Sequence, residues 1–335
     1  MDDRLVGEEK KGEDIGTRPD SFESYIGQEK AMERIKMFVY SAKKNNIPLS
    51  HVIIDGAPGL GKTTLCKILA KELGVNMVSF PSDVKKDDMD FLIELRSLKD
   101  GDILFIDEIQ NLSAKFTDTL HESIDFQRLR VSVKEGNSIT KVSLDLNKFT
   151  LVGATTRKGS LTPAFLSRFG IHICLDYYSP AELQKIVQRS ASILGIKITD
   201  EACLEIGSRS RGTPRIANRL LDRTRDYATY HSIDTMDVDT AKKALDFLGI
   251  NSLGMDDVDE KIMKVLINNK SGYPMSLASI ATMISEEIET VRDVYEPYLM
   301  RLGLLEICNR GRKLTDKAYS FYGIERKIDI SKMRL

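Results

Sequence analysis

The sequence has no uninterrupted apolar run near the roughly 20 residues that a membrane-spanning helix needs. We therefore expect a protein that does not cross a membrane. The first sixteen residues, MDDRLVGEEKKGEDIG, lack the apolar core of a signal peptide and are predicted to form a flexible arm. Export is not expected, and the predicted location is the cytoplasm.

Cysteine is scarce, and none of the four cysteines stands in a CxxC pair or in a Cys/His spacing typical of a zinc site. Their scatter gives no disulfide framework and fits a reducing cytoplasm. A charge excess is missing too, because the formal net charge is −1. Any contact with DNA must therefore come from a local basic patch, not from the field of the whole protein.

The amino-terminal half alternates short apolar runs with helical patterns. The strand candidates are residues 52–54, 75–80, 103–106, 149–154 and 171–175. Runs that are apolar on both faces and separated by helices indicate a parallel sheet covered by helices on both sides. The predicted fold class of this part is therefore α/β.

After residue 178 the pattern becomes helical only, beginning with the capping box Ser179-Pro180-Ala181-Glu182. Residues 258–323 read as three helices followed by "LLEICNRGRKLT", two short strands around a basic turn, which is the pattern of a winged helix. The predicted domains are an arm (1–16), a large α/β domain (17–178) with an inserted β-hairpin (129–146), an all-α lid domain (179–250), a winged-helix domain (256–325) and a tail (326–335).

Residues 56–63, "GAPGLGKT", fit G-x-x-x-x-G-K-[ST] between a predicted strand and a predicted helix. Backbone N–H groups around Gly59 and Gly61 can wrap phosphates at the amino end of the helix, where the helix dipole favours anions. Lys62 is expected to reach the β- and γ-phosphates. The Thr63 hydroxyl is a candidate Mg²⁺ ligand, and Thr64 completes the nucleotide-binding segment.

Polar side chains follow two other predicted strands, and ligands gather at that edge of an open α/β sheet. Asp107 and Glu108 end "ILFIDE"; Asp107 is predicted to hold Mg²⁺ and Glu108 to orient the attacking water. Thr155 and Thr156 follow "FTLVGA" and are candidate sensors of the γ-phosphate. Arg215 is the second residue of a predicted helix, where the dipole disfavours a cation unless a phosphate is bound.

Arg168 lies in "LSRFGI", just before a predicted buried strand. No acidic residue stands within six positions on either side, so the neighbouring sequence offers no salt bridge. A solvated arginine and an arginine that serves a bound phosphate both fit this pattern.

With these parts in order, the chain resembles the AAA+ ATPases, and within them the RuvB family, the motors of bacterial Holliday-junction branch migration. The matching stretches are "RPDSFESYIGQEK", "GAPGLGKTT", "GDILFIDEI", "FTLVGATTR", "SRFGI", "RSRGTPRIANRLL" and "VYEPYLMRLGLLE". The resemblance implies an ATPase that converts ATP to ADP with Mg²⁺ and works as a homohexameric ring around duplex DNA.

The resemblance also implies roles for single residues. It places Arg18 and Ile26 by the adenine, Tyr178 near the nucleotide, and Arg215 on the phosphates of its own subunit. Arg168 falls on the arginine-finger position, which reaches the γ-phosphate held by the adjacent subunit. Three positions depart from the family pattern: Thr17 replaces leucine near the adenine, Gln110 replaces histidine after "DEI", and Ile307 replaces an arginine of the wing.

The predicted third helix of the winged helix, about 286–301, is too acidic to enter a major groove between phosphates. It carries five acidic residues and two basic ones, namely Glu286, Glu287, Glu289, Asp293 and Glu296 against Arg292 and Arg301. The basic turn with Arg310, Arg312 and Lys313 is instead predicted to contact the DNA backbone, which positions a protein without reading bases.

Residues 129–146 alternate apolar and polar positions around a turn, as a β-hairpin does. Ile139 lies near its tip. In the resembled family the junction-binding partner RuvA docks on this hairpin, and a RuvC-like resolvase is a further partner; alternatively, Ile139 folds back onto its own domain.

The function predicted from all of this is an ATP-driven DNA translocase that moves duplexes and four-way junctions without sequence specificity. Two alternatives share part of the pattern: a clamp-loader-like ATPase and a transcription regulator that binds operators with its winged helix.

Overall fold

The computed structural model describes residues 16–82, 88–135, 138–269 and 273–324. The chain forms two compact units. Among the described residues, the sheet unit contains residues 16–195 and 212–218, and the helical unit contains residues 196–211 and 219–324. Among the helices of the described part, none has both the length and the apolar character to span a bilayer.

The sheet unit is built on a five-stranded, fully parallel sheet, which confirms the predicted α/β fold. The strands of this unit are β1 (Val52–Asp55), β2 (Met77–Pro81), β3 (Ile103–Asp107), β4 (Arg128–Glu135), β5 (Ser138–Asp145), β6 (Thr150–Thr155) and β7 (Ile171–Cys174). Five of these strands form the parallel sheet, in the order β2-β3-β6-β1-β7, and β4 and β5 pair separately with each other. All six residues of β6 are buried, as expected of a central strand covered on both faces.

Helices of the same unit pack around this sheet or follow it in the chain. They are α1 (Glu29–Asn45), α2 (Lys62–Leu73), α3 (Asp88–Ser97), α4 (Ala114–Phe126), α5 (Pro163–Leu166) and α6 (Pro180–Ile193). Helix α2 ends at Gly74, whose φ of 70° is the left-handed value that glycine adopts without strain. Helix α6 begins with both hydrogen bonds of the capping box between Ser179 and Glu182.

The predicted hairpin is formed by the antiparallel strands β4 and β5. Ile139 pairs with Lys134 in the register, one pair from the end of the ladder. Its side chain lies outside the described residues, so its predicted contact with a partner protein stays a prediction.

The described part of the helical unit has helices and one short hairpin. Its elements are α7 (Asp200–Ser208), α8 (Pro214–Tyr230, whose first turn belongs to the sheet unit), α9 (Val238–Phe247), α10 (Asp257–Ile267), α11 (Leu277–Ile284), α12 (Ile288–Thr290), α13 (Glu296–Arg301), β8 (Leu305–Cys308), β9 (Gly311–Leu314) and α14 (Asp316–Phe321). A π-helical turn over Val291–Tyr295 joins α12 to α13. Residues from α10 to α14 share one apolar core, and the order of three helices followed by a hairpin is that of a winged helix.

A buried charge cluster joins the segment after α7 to the start of α10. The Arg211 guanidinium lies 2.5 Å from a carboxylate oxygen of Asp259 and 3.0 Å from one of Asp256. It also donates to the carbonyl of Gly254 and lies 4.7 Å from the ring centroid of Tyr298. Arg211 is 5% and Asp259 0% exposed, so water cannot solvate these charged groups and they interact with one another instead.

Candidate active site

The phosphate loop connects β1 to α2, and its glycines are required by the close packing around it. Gly59 and Gly61 have φ of 79° and 100°, in the left-handed region. A Cβ on Gly59 would lie 2.9 Å from Cβ of Arg215, and one on Gly61 would lie 2.9 Å from the Tyr25 hydroxyl. Only glycine therefore lets the backbone take this path.

Lys62 is the first residue of α2 and is held across the loop. Its Nζ donates to the carbonyls of Gly56 at 2.8 Å and Ala57 at 3.1 Å. Burial lowers the pKa of the Lys62 ammonium, and the nearby carboxylates of Glu108 and Asp107 oppose this shift. The loop thus presents a mostly buried cation whose only direct hydrogen-bond partners among the described residues are two carbonyls of the loop itself.

The register of the sheet brings the candidate acids and threonines to one edge. Asp55 pairs with Thr155 at the carboxyl ends of β1 and β6. Asp107 ends β3, one position beyond the pair of Ile106 with Gly153. The phosphate loop leaves β1 at this same edge, where ligands of parallel sheets bind.

Asp107 faces the start of α2. The Thr63 hydroxyl donates to Oδ2 of Asp107 at 3.3 Å, and the N–H of Glu108 donates to Oδ1 at 3.1 Å. Burial is the main cause that raises the pKa of Asp107, and the charge of Glu108 adds to it while Lys62 opposes it. A hydroxyl and a carboxylate this close form an oxygen pair that suits a hard divalent cation such as Mg²⁺.

Glu108 is fixed by three hydrogen bonds to one of its oxygens. Its Oε2 accepts from Gln110 Nε2 at 2.6 Å, from Thr156 Oγ1 at 2.8 Å and from Thr156 N at 3.2 Å. The Thr155 hydroxyl donates to Oε1 of Gln110 at 2.6 Å. Gln110 was seen in the sequence only as a departure from a family pattern, and its place in this network was missed.

A tyrosine pair borders the loop on the predicted adenine side. The Tyr178 hydroxyl lies 3.3 Å from that of Tyr25 and 3.4 Å from the carbonyl of Leu60. Burial raises the pKa of both phenols, so they stay neutral. Sequence reasoning missed Tyr25, whose only signal was an aromatic residue one position before Ile26.

The other adenine-side candidates belong to the same amino-terminal segment. Arg18 and Ile26 are half-buried. Gly27, which follows Ile26, approaches Tyr178 so closely that an added Cβ would lie 2.8 Å from its ring. Thr17 is buried, and its carbonyl accepts from Arg189 at 3.0 Å.

Arg215 lies against the phosphate loop of its own chain. Its N–H donates to the carbonyl of Gly59 at 3.4 Å, and its Cδ would be 3.5 Å from a Cβ placed on Gly59. The structure therefore places Arg215 and Lys62 at the same loop, with the acid pair near Lys62, and their roles at a nucleotide stay predictions.

Arg168 lies away from the phosphate loop and forms an ion pair within its own chain. The expectation that it has no acidic partner is therefore wrong. Its guanidinium contacts Asp125 of α4 at 2.5–3.2 Å and donates to the carbonyl of Ala164 at 2.6 Å. Asp125 is 43 positions away in the sequence, so the residues beside Arg168 give no sign of this pair. Arg168 precedes β7 at the amino edge of the sheet, beside a cavity of about 330 Å³ that is also lined by Ser50 and His51.

The basic wing divides into residues with different surroundings. Arg312 forms a bidentate pair with Glu296 at 2.5 and 3.0 Å, and Glu296 is only 3% exposed. This corrects two expectations: Arg312 is engaged within its own domain, and Glu296 does not contribute to the acidic surface of the third helix. Lys313 pairs with Glu306 at 2.7 Å, whereas Arg310 is exposed at the turn between β8 and β9.

Comparisons with known proteins agree along the chain. Three family models match: the Holliday junction DNA helicase RuvB P-loop domain over residues 17–175, the RuvB AAA lid domain over 178–251 and the RuvB C-terminal winged helix domain over 252–323. The Holliday junction branch migration complex subunit RuvB of Kosmotoga olearia is 43% identical over 97% of this chain and 96% of its own. That of Rubrobacter xylanophilus is 43% identical over 91% and 86%.

Solved structures give the same answer. The Thermotoga maritima RuvB Holliday junction branch migration motor superimposes with a TM-score of 0.82 at 40% identity, over 92% of this chain and 99% of that one. Both the fold and the sequence therefore match over nearly the whole length, and the chain belongs to the RuvB family of P-loop ATPases.

Proposed function

We propose that this chain is the ATP-hydrolysing motor subunit of a branch-migration machine, which moves duplex DNA through four-way junctions without sequence specificity. The observation that carries the proposal is the acid pair at the end of β3, set beside a phosphate loop at one sheet edge. The match of the carboxyl-terminal domain to a winged helix favours this motor over a clamp loader, whose chain typically ends in a helical collar.

In the proposed reaction the loop N–H groups and Lys62 bind the phosphates of ATP. Thr63 and Asp107 would hold Mg²⁺, which when bound neutralises charge on the phosphates. Glu108 orients a water molecule and accepts its proton while the γ-phosphoryl group is transferred. Thr155 and Thr156 sense the γ-phosphate, and Arg215 contacts the phosphates from the same chain. Arg18, Ile26 and Tyr178 enclose the adenine.

We also propose that Arg168 completes the site of a neighbouring copy. The phosphate loop leaves the carboxyl end of β1, whereas Arg168 precedes the amino end of β7, the strand beside it. Since a strand of four residues spans roughly 13 Å, Arg168 is too far along the sheet to serve its own nucleotide. An arginine of this kind in trans fits a homohexameric ring with a nucleotide between subunits.

The DNA contact is proposed for the wing, with Arg310 as its principal cation. Four acidic residues of the third helix remain outside the buried pair, namely Glu286, Glu287, Glu289 and Asp293. They repel phosphates from that helix, so backbone contact by the wing is favoured over base readout. The further proposed partners are a RuvA-like protein at the β4–β5 hairpin and a RuvC-like resolvase. The cytoplasm is proposed as the location on the function alone.

The test is Glu108→Gln, which keeps the shape of the side chain but removes the proton acceptor. ATP binding should change by less than about 3-fold, while turnover falls by roughly 10²–10⁴ and conversion of four-way junctions stops. Lys62→Ala, as the comparison, should weaken binding itself. Wild-type turnover in the glutamine variant would contradict the water-orienting role. Wild-type hydrolysis that never moves a junction, even with a RuvA-like protein present, would contradict the motor.

A further inference from the structure

The carboxylate of Glu108 is held asymmetrically. Its Oε2 accepts all three of the hydrogen bonds described above, and the described residues give Oε1 none. Two of the donors come from Thr156, the residue after β6, and the shortest hydrogen bond comes from Gln110. One oxygen is therefore fixed to the protein and the other is left for the attacking water.

Gln110 links this carboxylate to a second threonine. Its Oε1 accepts from the hydroxyl of Thr155, whose own oxygen accepts from the N–H of Arg157 at 3.0 Å. Thr155 is 0% exposed, so its hydroxyl has no alternative in water. The bridge therefore runs from the buried end of β6, through one carboxamide, to the catalytic carboxylate.

The direction of the bridge follows from chemistry alone. An ionised carboxylate only accepts hydrogen bonds, so the carboxamide must turn its NH₂ group to Glu108. Its oxygen then faces Thr155, which must donate. A side chain that fills this place has to donate from one end and accept at the other, and glutamine does so at every pH at which the protein is folded.

We propose that Gln110 is a positioning residue for ATP hydrolysis: its carboxamide ties Oε2 of Glu108 to Thr155 and so turns Oε1 toward the attacking water. This rests on the proposed function, in which Glu108 takes the proton. Because the bridge starts beside Thr155 and Thr156, a nucleotide that displaces the end of β6 also displaces the carboxylate. Gln110 thereby couples the threonine sensors to the group that performs the chemistry.

The first test is Gln110→Leu, which keeps the approximate size and removes both hydrogen bonds. We expect kcat to fall about 10- to 100-fold, because small misplacements of reacting groups have effects of this order. The dissociation constant for ATP should stay within about 3-fold, and Tm within a few degrees. Asn111→Leu is the matched control, since Asn111 is the exposed next residue of the same 3₁₀ turn, and it should leave kcat unchanged.

The second test is Gln110→His, which separates positioning from packing. A neutral imidazole can also donate from one nitrogen and accept at the other, so kcat should recover above about pH 7. The imidazole is protonated below its ordinary pKa of about 6.5, and both of its nitrogens then carry hydrogen, so it offers no acceptor to Thr155. Its positive charge also makes the carboxylate of Glu108 a weaker proton acceptor. The histidine variant should therefore lose activity below about pH 6. The ratio of the wild-type kcat to the kcat of the variant should rise steadily as the pH falls through this range.

Two outcomes overturn the proposal. One is wild-type kcat in Gln110→Leu; the other is a Gln110→His profile parallel to that of the wild type. Glu108→Gln, measured beside them, distinguishes this failure from failure of the proposed function. If Glu108→Gln is inactive while both Gln110 variants behave as wild type, only the positioning role of Gln110 is wrong. If Glu108→Gln is active, the proposed hydrolytic role itself is wrong.

Discussion

At the scale of single residues, the wing shows why counting basic residues overstates a nucleic-acid surface. Arg312 and Glu296 have side chains that are 17% and 3% exposed, and they meet in a bidentate pair. Removing one partner of a buried pair leaves an uncompensated charge, which typically destabilises a protein by about 3–5 kcal/mol. Arg310, one residue before β9, has no such structural task among the described contacts and is exposed.

These two arginines should therefore give opposite results when each is replaced by alanine. Arg312→Ala should lower the thermal stability of the winged helix by about 3 kcal/mol. Arg310→Ala should leave the unfolding temperature unchanged, weaken duplex binding equally for all sequences, and reduce the log–log salt slope by about 1. Thermal unfolding and fluorescence anisotropy over a salt series measure the two effects. A stable Arg312→Ala variant with a reduced salt slope would make Arg312 a DNA contact instead.

The residues that the sequence placed at one edge of the sheet belong to continuous motifs. The phosphate loop, the acid pair and the threonines each follow a strand, and parallel strands carry them to one edge without further information. Arg168 was misjudged because its partner Asp125 comes from α4, and pairing between distant elements leaves no local signal. Gln110 was missed for a related reason, since the 3₁₀ turn that aims it at Glu108 is only three residues long.

At the scale of elements, the third helix of the winged helix shows that a helix need not keep the 3.6-residue repeat along its whole length. Its π-helical turn over Val291–Tyr295 has more residues per turn than an α-helix. The residues that follow are therefore rotated relative to the expectation from a 3.6-residue repeat. Glu296, predicted on the acidic surface, lies inside against Arg312 instead. A sequence pattern that assumes one helix type has no means of detecting this rotation.

The charge cluster at the start of α10 predicts how stability depends on pH. Burial, helped by the charge of Asp256 and opposed by Arg211, raises the pKa of Asp259 to about 7 from 3.8. The folded chain therefore holds a proton there that the unfolded chain has lost between about pH 4 and 7. The stabilisation is complete below this window and is lost as the pH rises through 7, by at most about 1.4 kcal/mol per pH unit.

Asp259→Asn should mimic the protonated group and remove this dependence. Its Tm should move upward relative to the wild type as the pH is raised from 5 to 8, measured by thermal unfolding in matched buffers. Asp257→Asn, an exposed residue of the same first turn, serves as the control and should show a constant difference. A constant difference for Asp259→Asn as well would mean that Arg211 keeps the carboxylate charged throughout.

At the scale of the whole molecule, one chain holds the phosphate loop at one edge of its sheet and Arg168 at the other. Subunits with Arg168→Ala and subunits with Lys62→Ala should each be nearly inactive alone, since arginine fingers contribute roughly 10³–10⁵ in rate. Mixed together, some interfaces combine an intact loop from the first with an intact Arg168 from the second. ATPase activity should then partly return, as measured by phosphate release across a range of mixing ratios.

The control is a mixture of Arg168→Ala with Arg168→Lys subunits, in which no interface regains an arginine and no activity should return. If proven mixed assemblies of the Arg168 and Lys62 variants also stay inactive, Arg168 acts on its own chain. The ion pair between Arg168 and Asp125 would then persist, and Arg168 would not leave Asp125 to bind the phosphate of a neighbouring subunit.

The placement of Arg168 and the phosphate loop at opposite edges has a consequence for symmetry. Two copies that meet through these edges use different surfaces, so the contact is heterologous and cannot pair two subunits face to face. Repetition of such a contact gives a closed ring or an open helix, and never a two-fold dimer. Every subunit then points the same way around the ring, and the assembly has two unlike faces. In the proposed motor, a duplex threaded through such a ring would enter by one face and leave by the other, so the sense of its motion would be built into each subunit.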